Sequence, residues 1–103
     1  MKVKSKKHKA ILHSLFFSEK DGQMSPVTFP IEKLGGASSG AKKLIGTSEV
    51  LENGGIKYNY DDSEQEFTPS EVAILKDLFD RKSTWSVEVA DIVFEIKNLF
   101  EGK

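Results

Sequence analysis

The sequence predicts a small α+β domain that is mostly helical, with a minimal two-stranded sheet and a C-terminal antiparallel helical hairpin. Three observations predict this fold class. The chain has 103 residues, the length of one domain with one core, and is taken as a single domain over 1–103. Its last third repeats apolar residues at helical spacing. Two shorter segments, 25–31 and 56–60, alternate apolar and polar residues in the strand period and would form the sheet.

The first predicted element is a helix over 6–17, where apolar residues recur at intervals of three and four. The sequence EKDG ends this helix, and Gly22 suits the positive φ of a helix exit or turn. Segment 25–31 follows, but Pro26 and Pro30 cannot donate ladder hydrogen bonds. It is therefore predicted as an edge strand or an extended connector.

Two interpretations stand for the middle segment, AKKLIGTSEVLENGG. One is a helix broken near Gly46, or two short helices with Thr47 or Ser48 capping the second. The other is a β-hairpin that turns at the NGG sequence. Whether 47–52 is helix or strand stays open, while the alternation after NGG predicts a strand at 56–60 in both cases.

The C-terminal part carries the strongest signals. The sequence TPSE at 68–71 is a capping box, in which the threonine hydroxyl accepts from the glutamate amide and the glutamate carboxylate reaches back. With proline at the first helical position, it predicts a helix over 69–82. A second apolar stripe predicts a helix over 86–100, and the short connection makes the pair an antiparallel hairpin spanning 69–100. The acidic segment 61–67 is predicted as a linker into this hairpin.

Composition excludes several classes of protein. At 38% apolar and 30% charged residues, the chain is typical of a globular domain. It has no cysteine, which excludes disulfides and thiolate metal sites. Its apolar runs are shorter than the ~18 residues of a membrane helix, and the basic start lacks the cleavage site of a signal peptide. We therefore expect a cytoplasmic protein without membrane contact.

Charge is unevenly distributed along the chain. Residues 1–18 hold five lysines and no acid, whereas acids outnumber bases by thirteen to five from Glu49 to Glu101. Residues 1–6 are interpreted as a basic, flexible start, since terminal residues are usually poorly ordered. Such asymmetry also marks nucleic-acid-binding arms. The candidate contacts to nucleic acid are Lys2, Lys4, Lys6, Lys7 and Lys9.

The stretch GGASSGAKKL at 35–44 looks like a phosphate-binding loop. A P-loop requires lysine directly after its second glycine, and Ala41 stands there instead. In a weaker form of this hypothesis, a serine caps a helix whose free amides and lysines face a small anion. Its candidate residues are Ser38, Ser39, Gly40, Lys42 and Lys43. The competing interpretation is a flexible loop with a capped helix start.

No catalytic or metal-binding pattern emerges from the sequence. A calcium loop starting at Asp61 would need glycine sixth and glutamate twelfth, where Glu66 and Val72 stand. His8 and His13 are five residues apart, so a helix places them on different faces, and no further histidine exists. No G-x-S-x-G elbow is present. We therefore expect no enzyme activity, no metal site and no cofactor.

The candidate partner surface consists of Trp85, Val87 and Phe94. Val87 and Phe94 point away from the main apolar stripe of the last helix. Either this helix is covered on two sides, or Phe94 is exposed and docks a second copy or another protein. Trp85, in the turn between the last helices, is either a lid over the hairpin or an exposed anchor.

The segments ILHSLFFSEKDG, EVLENGGIKYN and EFTPSEVAILKDLFD resemble, in order and spacing, small proteins of unknown function encoded by tailed phages and prophages. The resemblance implies an accessory protein that acts by binding in a bacterial host cytoplasm, and it brings no catalytic residues. The first hypothesis is therefore a non-enzymatic interaction module that binds a protein or itself. One alternative is a winged-helix-like nucleic-acid-binding module that uses the basic start. Another is a small-anion or nucleotide-binding protein that uses the glycine- and serine-rich stretch.

Overall fold

Four helices and three two-stranded antiparallel sheets form the α+β fold in the computed structural model of the protein, which describes residues 1–102. About half of the chain is helical, so the predicted fold class is confirmed. In chain order the elements are β1 (Lys2–Val3), α1 (Lys6–Ser14), β2 (Phe17–Lys20), β3 (Gln23–Pro26), α2 (Ile31–Leu44), β4 (Thr47–Val50), β5 (Ile56–Asn59), β6 (Gln65–Glu66), α3 (Pro69–Arg81) and α4 (Ala90–Phe100), the last preceded by a 3-10 turn at Val87–Val89.

The sheets differ from the predicted one. β2 and β3 form a hairpin, β4 and β5 form another, and β1 pairs with β6. The predicted pairing of 25–31 with 56–60 is therefore wrong. Asp21 and Gly22 have φ values of 54° and 78°, which fits the two-residue type I′ turn of a tight hairpin. This turn folds the chain back directly after α1, so β3 pairs with its neighbour in sequence.

The hairpin interpretation of the middle segment is the correct one. β4 pairs with β5 over four residues, from Thr47 opposite Asn59 to Val50 opposite Ile56. Gly54 has a φ of 84° in the connecting turn, a conformation that glycine adopts without strain. The alternative of a helix through 47–52 is therefore wrong.

The stretch 35–44 is helical and forms most of α2, so its interpretation as a loop is wrong. The helix begins at Ile31, seven residues before the predicted cap at Ser38 or Ser39. Packing explains why glycine is present in a helix: a Cβ atom on Gly36 would lie only 3.0 Å from Cδ1 of Ile74. Glycine here allows α2 to approach α3 closely, and this contact stabilises the helix in spite of its low propensity.

Gly35 and Gly46 offer a matched pair of substitutions. A Cβ atom on the exposed helical Gly35 would meet nothing within 4 Å, so Gly35→Ala should raise the free energy of unfolding by about 0.5–1 kcal/mol. A Cβ atom on Gly46 would lie 2.8 Å from the carbonyl oxygen of Asn59 and from Oδ2 of Asp61. Gly46→Ala should therefore lower the free energy of unfolding by about 1–3 kcal/mol. Urea denaturation measures both; a less stable Gly35→Ala protein would contradict its helical environment.

Of the two C-terminal helices, α3 forms where the sequence predicts it, whereas α4 begins at Ala90, after a 3-10 turn, and not at residue 86. Thr68 Oγ1 accepts from the Glu71 amide at 3.3 Å, and Glu71 Oε1 accepts from the Thr68 amide at 2.8 Å, so the capping box is complete. Each helix has its main contact with an N-terminal helix: α3 lies against α2, and α4 against α1. α3 and α4 contact each other through the rings of Phe79 and Phe100, whose centroids are 5.4 Å apart.

The first six residues are an ordered part of the fold, which corrects the prediction of a flexible start. Val3 in β1 is fully buried. The Phe67 amide donates to the Met1 carbonyl at 2.8 Å, and the Phe67 ring is buried as well. Segment 61–67 is therefore a structural partner of residues 1–6 and more than an acidic linker, because each supplies hydrogen-bond partners for the other.

One core joins all four helices with β1 and the segment before α3. Its buried apolar side chains are Val3, Leu12, Leu15, Phe16, Ala37, Leu44, Phe67, Ile74, Leu75, Leu78 and Ile96. Among residues 1–102, none of the helices has the length and apolar character that crossing a membrane requires.

Candidate functional site

Glu71, in the first turn of α3, is buried and lies at the centre of a polar cluster. Its side chain is only 3% exposed. The carboxylate accepts hydrogen bonds from Lys43 Nζ at 2.7 Å, from Ser39 Oγ and from the Thr68 amide. Burial alone raises the pKa of Glu71, but these hydrogen bonds outweigh it and lower the pKa to about 2. Glu71 is thus an anion that is held by α2 of the same chain.

This cluster divides the predicted anion-binding residues into two groups. Ser39 and Lys43 contact the carboxylate of Glu71, and the buried Gly40 lies against the same side chain, where a Cβ atom would be 3.7 Å away. Ser38 and Lys42 are exposed on another face of α2. The predicted arrangement at a helix N-terminus is absent, because all five residues lie past the free amides of the first turn, with Lys42 and Lys43 in the last turn.

Lys9 is buried, which corrects its assignment as a nucleic-acid contact. Its side chain is 1% exposed, and Nζ donates to the carbonyl oxygen and Oδ1 of Asp61, both at 3.0 Å, and to the carbonyl oxygen and Oγ of Ser63. Hydrogen bonds from the Ser63 side chain, the Ser63 amide and Lys9 lower the pKa of Asp61 to about 2. Lys9 therefore fixes α1 to the segment before α3.

The other four lysines of the basic start are exposed, and the described residues offer them no ion pair. Acidic residues lie close to these lysines, however. β1 places Lys2 opposite Glu66, and the amide of Lys6 donates to Asp62 Oδ1 at 2.9 Å. The basic character of the sequence start is thus partly offset by acidic neighbours that are distant in the sequence.

The three residues of the predicted partner surface differ in exposure. Phe94 is 64% exposed and Val87 is 90% exposed, so the interpretation of a last helix covered on two sides is wrong. Trp85 is half-buried, with its ring 5.5 Å from that of Phe79 and with Lys82 Nζ 4.8 Å from its centroid. The lid interpretation describes Trp85 better than that of a free anchor.

An apolar groove of about 320 Å³, which the sequence analysis did not foresee, lies between the two hairpins. Its floor is one face of α2, one wall is the β2–β3 hairpin with the segment that follows it, and the other wall is β5. We call it the hairpin groove and define it by six of its apolar lining residues: Phe17, Phe29, Leu34, Ala41, Ile45 and Tyr58.

Exposed apolar side chains extend the hairpin groove at three points. Leu34, on its floor, is 50% exposed. Met24 is exposed and lies two residues from the groove residue Pro26 on β3, hence on the same face of that strand. Ile56 is exposed and stands in the same relation to Tyr58 on β5. The apolar surface therefore continues from the groove onto both hairpins.

His13 and Lys42 are polar side chains at the hairpin groove. Nδ1 of His13 lies 2.8 Å from the Tyr60 hydroxyl, and its ring meets that of Tyr58 edge-on at 4.6 Å. Burial lowers the pKa of His13, which favours the neutral ring, and burial with the nearby Tyr58 raises the pKa of Tyr60. Lys42 is the one charged side chain that lines the groove, and within residues 1–102 it forms no ion pair.

Comparison with known proteins does not assign a function to this site. No protein-family model matches the chain, and no curated protein or solved structure matches it significantly. The part of the chain that the structure describes also brings together no group of three or more His, Asp or Glu side chains suited to a metal ion. The resemblance to phage-encoded proteins stays a prediction.

Proposed function

We propose that the protein is a non-enzymatic interaction module that binds a segment of another polypeptide in the hairpin groove. The observation that supports this proposal is the apolar groove itself, with exposed Leu34 on its floor and exposed Met24 and Ile56 on the hairpins beside it. Contiguous apolar surface with a polar rim marks interaction sites in proteins of this kind. An accessory role in a bacterial host cytoplasm, as the phage resemblance implies, fits such a module.

The shape of the groove favours a polypeptide over a small metabolite. The groove is open to solvent along its length, and it offers one ammonium group, from Lys42, among apolar side chains. Small-molecule sites usually enclose about 70–90% of the ligand surface and hold several converging polar groups. Apolar side chains that project from a partner fit an open groove better, because the partner itself covers their outer side.

Selection from a random peptide library displayed on phage tests this proposal. Leu34→Asp places a carboxylate on the apolar floor, and Leu51→Asp is the matched control, since Leu51 lies at the turn of the β4–β5 hairpin outside the groove. Peptides selected on the wild type should carry apolar residues. They should bind Leu34→Asp at least about 30-fold more weakly and Leu51→Asp with unchanged affinity.

Two results would overturn the proposal. One is a selection that enriches no peptides on the wild type. The other is a set of peptides that bind the wild type and Leu34→Asp equally, since their site would then lie elsewhere. Thermal unfolding of both variants shows beforehand that they are folded, because a half-exposed position should tolerate the change at a cost of about 1 kcal/mol.

Nucleic-acid binding is a second candidate function, which the exposure of the four lysines in the basic start favours. The winged-helix order of elements does not form, because 47–52 contains a strand where that order needs a helix. Retention of DNA or RNA at ~50 mM salt, where counterion release favours binding most, tests the remaining electrostatic hypothesis. Changing Lys4, Lys6 and Lys7 together to alanine should abolish such retention. A wild type that retains neither polymer would exclude nucleic-acid binding.

A further inference from the structure

We infer that the hairpin groove binds the exposed face of α4 from a second copy of this chain. The inference rests on the proposed function and adds the identity of the occupant. The second copy would insert Phe94, with Val87 as a second anchor, and would place an acid against Lys42. Three independent features of the described residues support this pairing: exposure, spacing and charge.

Exposure is the first feature. Phe94 and Val87 are the two large apolar side chains that the last helix and its leading turn leave exposed. The opposite side of the same helix is fixed in the core, where Ile96 is fully buried. No residue of α4 lines the hairpin groove, so a copy that keeps its own fold cannot fill its own groove with Phe94.

Spacing is the second feature. Val87 and Phe94 are seven residues apart in the sequence, with Val87 in the 3-10 turn Val87–Val89 and Phe94 in α4 directly after it. Leu34 and Ala41, two residues of the groove floor, are seven apart on α2 and hence about 10 Å apart along its axis. Amphipathic helices bind grooves through anchors at intervals of about three, four and seven residues. The groove floor is therefore long enough to take two apolar anchors.

Charge is the third feature. The chain from Val87 to Glu101 carries four exposed acids, Glu88, Asp91, Glu95 and Glu101, against one base, Lys97. Asp91 lies one turn before Phe94, and the described chain gives it no ion pair; Glu95 already contacts His8 Nε2 at 3.2 Å. Lys42 of the groove is likewise without an ion pair there. Opposite charges thus flank the anchor and its site, with Asp91 facing Lys42.

This pairing joins two different surfaces of the chain, and each copy offers one groove and one anchor. In a two-fold dimer the two copies exchange anchors, so that the groove of each holds the anchor of the other. In a heterologous assembly the association continues head to tail until a ring closes or a chain grows. In both arrangements a copy without a groove can still pair with a copy without an anchor, so mixing of variants tests the pairing itself.

Sedimentation velocity over a series of concentrations measures this association. The wild type should grow in mass as its concentration rises, and Leu51→Asp should behave like the wild type. Leu34→Asp loses the groove and Phe94→Asp loses the anchor, so each alone should be monomeric, with affinity reduced at least about 30-fold. Their equimolar mixture should form a one-to-one heterodimer, because one copy keeps a groove and the other an anchor.

Charge exchange tests the orientation of the pair. Lys42→Glu and Asp91→Lys should each weaken self-association, and the variant that carries both changes should recover it. A wild type that stays monomeric at several hundred micromolar would overturn the inference. So would a wild type that associates while the mixture of Leu34→Asp and Phe94→Asp stays monomeric. If the peptide selection still depends on Leu34 in either case, the proposed function stands and only the occupant is wrong.

Discussion

Replacing Glu71 by alanine is expected to lower the free energy of unfolding by about 2–4 kcal/mol, because it removes a buried carboxylate together with its ion pair to the half-buried Lys43. The change leaves Lys43 Nζ, Ser39 Oγ and the Thr68 amide without their acceptor. Urea denaturation measures the effect. Glu66→Ala is the matched control, because that exposed carboxylate pairs with the Met1 amino group at 3.6 Å and should contribute less than about 1 kcal/mol. Equal effects of both changes would show that the cluster stabilises the fold no more than an exposed ion pair does.

The same carboxylate should make stability depend on pH. The pKa of Glu71 is about 2 in the folded protein against an ordinary value of 4.5, so the folded state favours the charged form. Its contribution, on the order of 3 kcal/mol, is fully present above pH 4.5 and is lost as the pH falls toward 2. Asp61, whose pKa is lowered from 3.8 to about 2, adds to this loss in the same range. Glu71→Gln should reduce the pH dependence between 4.5 and 2 to the part that Asp61 contributes.

Lys9→Met is expected to lower the free energy of unfolding by about 1.5–3 kcal/mol, because it removes the buried ammonium group that donates to three partly exposed acceptors. These acceptors are the carbonyl oxygens of Asp61 and Ser63 together with the Asp61 carboxylate. Lys7→Met is the matched control: Lys7 is exposed on the same helix, and its change should stay within about 0.5 kcal/mol. If the two variants unfold alike in urea, Lys9 does not fix α1 to the segment before α3.

The structure follows the sequence most closely where the signals are local. The capping box at Thr68 and Glu71 predicts the start of α3, since both of its hydrogen bonds close within four residues. The DG sequence of the first hairpin was also a local signal. Helical spacing extended the predicted helix to residue 17, which is the first residue of β2. The type I′ turn at Asp21 and Gly22 was therefore interpreted as the end of a helix and not as the turn of a hairpin.

Contacts between distant segments account for the errors. Glycines in 35–44 suggested a loop because propensity acts locally, whereas the approach of Gly36 to Ile74 is a tertiary contact that favours the helix. Residues 1–6 looked flexible because their partner, 61–67, lies far along the chain. Proteins of this size depend on such contacts, which a single sequence does not display.

The candidate site, too, depends on contacts between distant segments that the sequence does not display. Charge patterns singled out Lys9 and Lys43, and in the fold both lysines bind carboxylates of their own chain. The hairpin groove draws its apolar lining from α2, two hairpins and the segment between β3 and α2, so no single stretch of sequence contains it. The exposure of Phe94 was one of two alternatives, and only the packing of α4 on α1 distinguished them.

The pairing of β1 with β6 has a consequence for the order of folding. It closes a loop of more than sixty residues, and such closure costs more entropy than the formation of either hairpin, which closes within a few residues. A chain emerging from the ribosome can thus form the β2–β3 hairpin early. The contacts of β1 and Lys9 form only after segment 61–67 has been synthesised. We therefore expect the N-terminal strand and helix to dock late, and hydrogen exchange during refolding would show their amides among the last to gain protection.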